Sequence, residues 1–322
     1  MHRTLPLLLA AAAVLDAAPQ AALKVDARIA PYRKAAGISG NLTSVGSDSL
    51  NNLMTFWVEA FGRQYPGVRI QVEGKGSGTA PPALISGTSQ LGPMSREMKA
   101  EEIDAFAKRH GYKPTKVAVA IDSLGVFVHR DNPVKSFTLR ELDGIFSKTR
   151  KGGGRELRTW DQAGLNGAWA GRPISLYGRN SASGTYGYFK EHALFKGDFK
   201  DTVKEQPGSS SVVQSVATDR FAIGYSGIGY RTSNVRAVPV ADEGRYNGQA
   251  FEATYENCLS GKYPLARYLY IYVNRNPKKP LDPLTREFLA FVLSRQGQEI
   301  VIKDGYYPLT AKLQQGEAAK LH

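Results

Sequence analysis

Three times this chain passes from a glycine- and hydroxyl-rich turn straight into a helical pattern, and no other feature restricts its fold as much. The turns are Gly46-Ser47-Asp48-Ser49, Gly76-Ser77-Gly78-Thr79 and Ser181-Ala182-Ser183-Gly184-Thr185. The first opens a stretch in which Leu50, Leu53, Met54, Trp57 and Phe61 share one helical face. The second ends the alternating strand pattern Val68 to Val72 and precedes a short helix expected over Pro81 to Ser86. The third follows the apolar stretch Ile174 to Tyr177, with Gly178, Arg179 and Asn180 between, and leads into a helix expected over Tyr186 to Phe195. A helix start exposes unpaired N–H groups and partial positive charge, which together favour an anion. Singly, each turn reads as an ordinary N-cap. Together they read as helix starts converging on one small anion, with glycine admitting close backbone approach and hydroxyls donating. Arg179 adds a planar fork of donors suited to a tetrahedral oxyanion.

The same alternation continues along the chain. Glu97 to Arg109, Leu139 to Phe146 and Leu284 to Ile302 read as helices. Val117 to Ile121 and Leu124 to His129 read as two strands parted by Asp122-Ser123, and Phe221 to Tyr225, Val235 to Val240 and Tyr268 to Val273 as further strands. This rhythm predicts an α/β fold with mainly parallel sheets covered by helices. At 322 residues, two α/β lobes are expected rather than one continuous sheet.

Charge narrows the partners. A formal net charge of +13 suits nucleic acid, an anionic surface or a small anion. The basic residues are scattered, apart from a Gly-rich loop from Lys148 to Arg158, so no nucleic-acid partner is expected. His2 and Arg3, the apolar run Leu5 to Leu15 and small residues around Ala17 to Ala22 read as an export signal. That run is short for a membrane span, and the expected location is the periplasm. Cys258 is the sole cysteine, so no intramolecular disulfide can form.

Catalytic signatures are missing. The P-loop pattern is absent, Gly74 to Thr79 departs from G-x-G-x-x-G, and neither G-x-S-x-G nor H-E-x-x-H occurs. No catalytic residue, metal or cofactor is expected. His192, on the helix after Thr185, reads as a surface or packing residue.

The order of these motifs resembles a known family. The G-S-D-S helix start, the G-S-G-T turn, the M-S-R-x-M segment, the strand pair ending in D-N-P-V and the R-N-S-x-S-G-T turn are similar to those of phosphate-binding proteins of bacterial phosphate ABC importers. The resemblance spans Ile38 to Leu309. It implies a two-lobed type II periplasmic-binding-protein fold, with inorganic phosphate in the interlobe cleft and delivery to a membrane ABC importer permease. It also implies a monomer. The expected division is a signal peptide over 1–22, a linker over 23–37, one lobe over 38–127 completed by 268–322, and a second over 128–267. Carried over residue by residue, the resemblance implies that Ser77, Arg179, Ser183, Gly184 and Thr185 hold phosphate oxygens. Asp48 and Ser49 would add contacts at the first helix start.

Two positions depart from the family pattern. Ser95 stands where a Ser-Asp-x-Pro aspartate accepts the phosphate proton, and Asp48 stands where a threonine is expected. The acceptor carboxylate is therefore expected at Asp48, with a simple N-cap as the alternative. Asp122 is a second candidate, read first as a structural aspartate between strands. Ser95 and Arg96 either face the ligand or cap the helix from Glu97. The alternatives in function are a phosphatase on the same lobes, or a binding protein for sulfate, molybdate or a phosphonate.

Overall fold

The computed structural model describes residues 23–322, so the expected export signal over 1–22 lies outside the described residues. The strands are β1 (Gly40–Val45), β2 (Val68–Glu73), β3 (Gly92–Met94), β4 (Thr115–His129), β5 (Phe137–Thr138), β6 (Ser175–Arg179), β7 (Lys204–Gln206), β8 (Ala222–Gly227), β9 (Val235–Ala237), β10 (Val240–Ala241), β11 (Ala250–Phe251) and β12 (Ala266–Val273). Helices cover them. They are α1 (Asn51–Gln64), α2 (Ala80–Ser86), α3 (Ala100–His110), α4 (Leu139–Phe146), α5 (Gly184–His192), α6 (Ser209–Thr218), α7 (Tyr255–Leu259), α8 (Pro283–Leu293), α9 (Arg295–Lys303) and α10 (Ala311–Ala319).

The helical face read from the sequence is buried as expected. Leu50, Leu53, Met54, Trp57 and Phe61 are fully covered, and Trp57 Nε1 donates to the Gly297 carbonyl at 2.8 Å. Burying each such side chain contributes about 1.5–3 kcal/mol. The α4 boundaries match the sequence pattern because Thr138 and Glu141 form a reciprocal capping box.

The sheets are mixed, which corrects the expectation of mainly parallel strands. The largest runs β3-β12-β4-β8-β6-β7, with β9 also on β4. Both neighbours of β4 in that order are antiparallel to it, whereas β6 pairs in parallel with β7 and β8. The cause is β4 itself. It is one unbroken 15-residue strand, not two strands parted at Asp122-Ser123. Its first half, to Ser123, pairs β12, and its second half, from Leu124, pairs β8 and β9. Asp122 therefore lies within a strand, at the point where the partner changes. The parallel pair β1-β2 meets the β3 end of this sheet through the Ser44–Leu91 bridge.

One further expectation is corrected. The helix read as Leu284 to Ile302 is broken at Ser294, whose extended backbone ends α8 while its hydroxyl accepts the Gly297 N–H at the start of α9. The segment over 23–37 is hydrogen-bonded to α8 and α9. Tyr32 donates to the buried Glu287 at 2.5 Å, and Arg295 donates to the carbonyls of Ala27 and Ile29.

Asp304, at the C-terminal end of α9, has a buried Oδ2 without a hydrogen-bond partner, and burial pushes its carboxyl up to about 7. The unfolded chain titrates this group near ~4. Between those values the folded state keeps a proton that the unfolded state has lost, so stability from this residue falls as pH rises through that window. Asp304→Asn should flatten that slope and raise Tm at pH 8 by roughly 2–4 °C, after discounting for partial exposure. A thermal-melt series across pH checks this. An unchanged slope would contradict it.

Candidate functional site

Each expected turn lies where a strand ends and a helix begins. Val45 ends β1 and leads through Gly46 and Ser47 into a short turn of helix, Asp48–Leu50, that continues as α1. Glu73 ends β2 and leads through Gly76 into Ser77–Thr79 and then α2. Arg179 ends β6, and Ser183 caps α5 by accepting the Tyr186 N–H. A fourth helix start joins them, since Ser209 opens α6 directly after β7.

These turns meet face to face. The Gly78 N–H donates to the Ala182 carbonyl at 2.9 Å. Gly76 has φ +122°, and a Cβ there would fall 2.6 Å from that same carbonyl oxygen. A Cβ on Gly184 would fall 2.2 Å from Ser77 Oγ and 2.7 Å from Ser95 Oγ. Only glycine permits this approach.

The hydroxyls gathered here are buried, and four of them already accept a bond from a protein donor. Ser77 Oγ accepts the Ser95 N–H at 3.0 Å, and Ser183 Oγ accepts from Tyr186. Ser209 Oγ accepts from Arg179 at 2.8 Å, and Thr185 Oγ1 accepts from Arg267 at 3.0 Å. Ser47 donates to Ser95, and Ser49 lies 2.8 Å from Thr185 Oγ1. A hydroxyl carries one O–H and two lone pairs, so a lone pair spent on a protein donor halves its capacity to accept and leaves its capacity to donate intact. The cluster is biased toward donation.

Two ion pairs with buried arginines frame it. Arg179, with a side chain 1% exposed, donates from one terminal nitrogen to Asp48 Oδ2 at 3.0 Å and from the other to the Pro207 carbonyl. Asp48 Oδ2 also accepts the Ser209 N–H at 2.8 Å. Asp48 thus does not cap its own helix, where Ser47 holds the N-cap position without a side-chain bond; it caps α6, far along the chain. Arg267 pairs with Asp122, whose other oxygen accepts the Ile228 N–H at 3.1 Å. Buried nitrogens of both arginines, Arg179 Nε and one terminal nitrogen of Arg267, have no partner.

Of the sequence candidates, Asp48, Ser49, Ser77, Ser95, Arg179, Ser183, Gly184 and Thr185 are all brought together. Ser95 and Arg96 part company. Ser95 joins the cluster, while Arg96 forms a two-pronged pair with Glu102 at 2.7 Å, and α3 begins only at Ala100 with Lys99 before it. His192 stacks on Tyr188 with ring centroids 4.1 Å apart, and Cys258 is a buried thiol pushed up to about 12 by burial. Among the described residues no group of three or more His, Cys, Asp or Glu could hold a metal ion. Arg267 and Ser209 were missed. Ser209 follows Gly208 in a Gly-Ser-Ser-Ser run of the same character as the other turns, whereas Arg267 becomes visible only through its cross-strand register with Asp122.

Comparison with known proteins gives the family. The PBP superfamily domain matches residues 33–296, and the chain belongs to that superfamily. Within it, the chain is 56% identical over 298 residues to the phosphate-binding protein PstS of Pseudomonas aeruginosa, covering 92% of this chain and 91% of that protein. It is 30% identical to protein SphX of Synechococcus elongatus over 89% of this chain and 83% of that one. A substrate-binding protein of Clostridium perfringens, solved with bound phosphate, superposes with a TM-score of 0.71 at 28% identity, covering 84% of this chain and 100% of that one. This places the chain among the phosphate-binding proteins of the PstS type.

Gly184→Ala tests the close approach. The added methyl meets two buried serine oxygens, so the turns cannot meet as they do here, while the α5 backbone itself tolerates alanine. The expected outcome is a fold with an unchanged far-UV spectrum, a larger radius of gyration by small-angle scattering and anion affinity reduced by roughly a hundredfold or more. Parent-like scattering with parent-like affinity would contradict it.

Proposed function

We infer that this protein binds one inorganic phosphate between two lobes, in the periplasm, and passes it to an ABC importer. The observation that carries this reading is the cluster of buried hydroxyls, four of them already accepting from a protein donor, set beside the buried Arg179. Charge-assisted hydrogen bonds of this kind contribute about 1.5–3 kcal/mol each, which offsets the hydration that a bound anion gives up. The relatives' names, phosphate-binding protein PstS among them, support the same ligand and the same transport role. The protein is a binder and not an enzyme, as its 56%-identical relative is named for binding.

In this reading residues 38–127 with 268–322 form one lobe and residues 128–267 the other. The contacts Gly78–Ala182, Asp48–Arg179 and Ser49–Thr185 then lie across the cleft and close it over the ligand. Closing excludes water and gives a shape that a permease can distinguish from the open form. The active unit is a monomer, with no nucleic-acid partner.

Asp48 is the carboxylate that accepts the phosphate proton. Both oxygens of Asp122 already hold donors, from Arg267 and from the Ile228 N–H, whereas the bonds to Asp48 from Arg179 and Ser209 both fall on Oδ2. Asp48 Oδ1 therefore has capacity for the ligand's O–H. Phosphate near neutral pH carries a proton to give, and sulfate has none, so a carboxylate here repels sulfate.

Calorimetric titration of ligand-stripped protein tests the reading. One phosphate per chain and weak or no sulfate binding are expected, with a Tm increase at millimolar phosphate. A thermal shift with sulfate or molybdate but none with phosphate would overturn it, and hydrolysis of p-nitrophenyl phosphate would turn it toward a phosphatase. In Asp48→Asn, sulfate affinity should rise about tenfold or more while phosphate changes less, because an amide can donate to either ion. Equal changes for both anions would remove Asp48 from the acceptor role.

A further inference from the structure

Arg267 stands near the start of β12, directly across from Asp122 on β4, and the two side chains are 2% and 0% exposed. Two charges taken out of water cost more than an apolar pair of similar volume, so the strand gains nothing in stability from this choice. The geometry points instead toward the anion site. Arg267 Nε donates to Asp122 Oδ2 at 2.8 Å, and the same guanidinium donates to Thr185 Oγ1 at 3.0 Å. Asp122 is itself held by the Ile228 N–H, and the Tyr188 ring lies 5.3 Å from the guanidinium carbon. The fork is therefore fixed on several sides.

A guanidinium can only donate. One lone pair of Thr185 Oγ1 is thus committed to Arg267. Thr185 and Ser49 hydroxyls lie 2.8 Å apart and hold two O–H groups between them. One of those is used in their mutual bond, whichever way it runs, and one remains.

We propose that Arg267 is a positioning residue for anion recognition. By donating to Thr185 it takes up one acceptor position of the Ser49–Thr185 wall and shifts that wall toward donation, so it favours unprotonated ligand oxygens. A protonated oxygen is then directed away from it, toward Asp48. The sequence gives no motif for this role, because it arises from a cross-strand pairing and a helix start that are 82 residues apart. The inference rests on Thr185 contacting a tetrahedral oxyanion, and the phosphate reading supplies the identity of that ion.

A double-mutant cycle read by calorimetry tests it. The variants are Thr185→Ala, the pair Asp122→Asn with Arg267→Gln (which leaves no stranded buried charge), and all three together. Each of the first two should weaken phosphate binding by about ten- to a hundredfold. The triple variant should be weaker than the worse of them by no more than about threefold, since both remove the same interaction. Losses that multiply would overturn the proposal, because a purely structural Arg267 would act independently of Thr185. If the paired variant does not fold, Arg267→Lys keeps the charge opposite Asp122 but loses the planar fork. Its expected result is weakened phosphate binding in the parent background and no added loss with Thr185→Ala; parent-like affinity would overturn the proposal. If the parent binds sulfate and not phosphate, the ligand reading fails, and the same cycle run with sulfate still decides the role of Arg267.

Discussion

One carboxylate oxygen, Asp48 Oδ2, joins three parts of the chain that are otherwise remote. It accepts from Arg179 at the end of β6 and from the Ser209 N–H at the start of α6, while its own residue begins the turn into α1. Arg179 is almost wholly buried, and a guanidinium in that setting requires a counter-charge. The helix starts are thereby locked relative to one another. The Gly78 N–H bond to the Ala182 carbonyl and the Ser49–Thr185 bond join the same turns beside this contact.

The second pair, Arg267 with Asp122, completes a balance. Two buried guanidiniums are each matched by a carboxylate, so in the proposed reading an anion would be met by hydroxyl and backbone N–H donors rather than by excess charge. Such a site can be strong in hydrogen bonds and still release its ligand, because no uncompensated cation holds it. The glycines serve the same end by removing the side chains that would keep the turns apart.

The parts legible in the sequence were those set by local chemistry. The covered face of α1, the bounds of α4 and the three Gly/Ser turns depend on residues close in the chain, and each was readable from spacing alone. Strand direction was not, because hydrophobic periodicity is the same for parallel and antiparallel neighbours. Asp122 read as a break for a related reason. A charged residue in an apolar run looks like a turn until its partner, Arg267, is known, and that partner sits 145 residues away. The break between α8 and α9 was hidden because Ser294 falls within an otherwise continuous apolar period. Ser209 was readable in principle, since Gly208-Ser209-Ser210-Ser211 repeats the chemistry of the other turns.

In the proposed reading these buried donors, drawn from separate helix starts, hold one phosphate together. That reading is tested most directly by NMR on labelled protein saturated with phosphate, measuring scalar couplings through hydrogen bonds between phosphorus and protein nitrogen. Couplings from phosphorus to the Gly184 or Thr185 amide and to an Arg179 side-chain nitrogen are predicted in the same spectrum. Phosphorus couplings that fall only on residues outside this cluster would contradict the account.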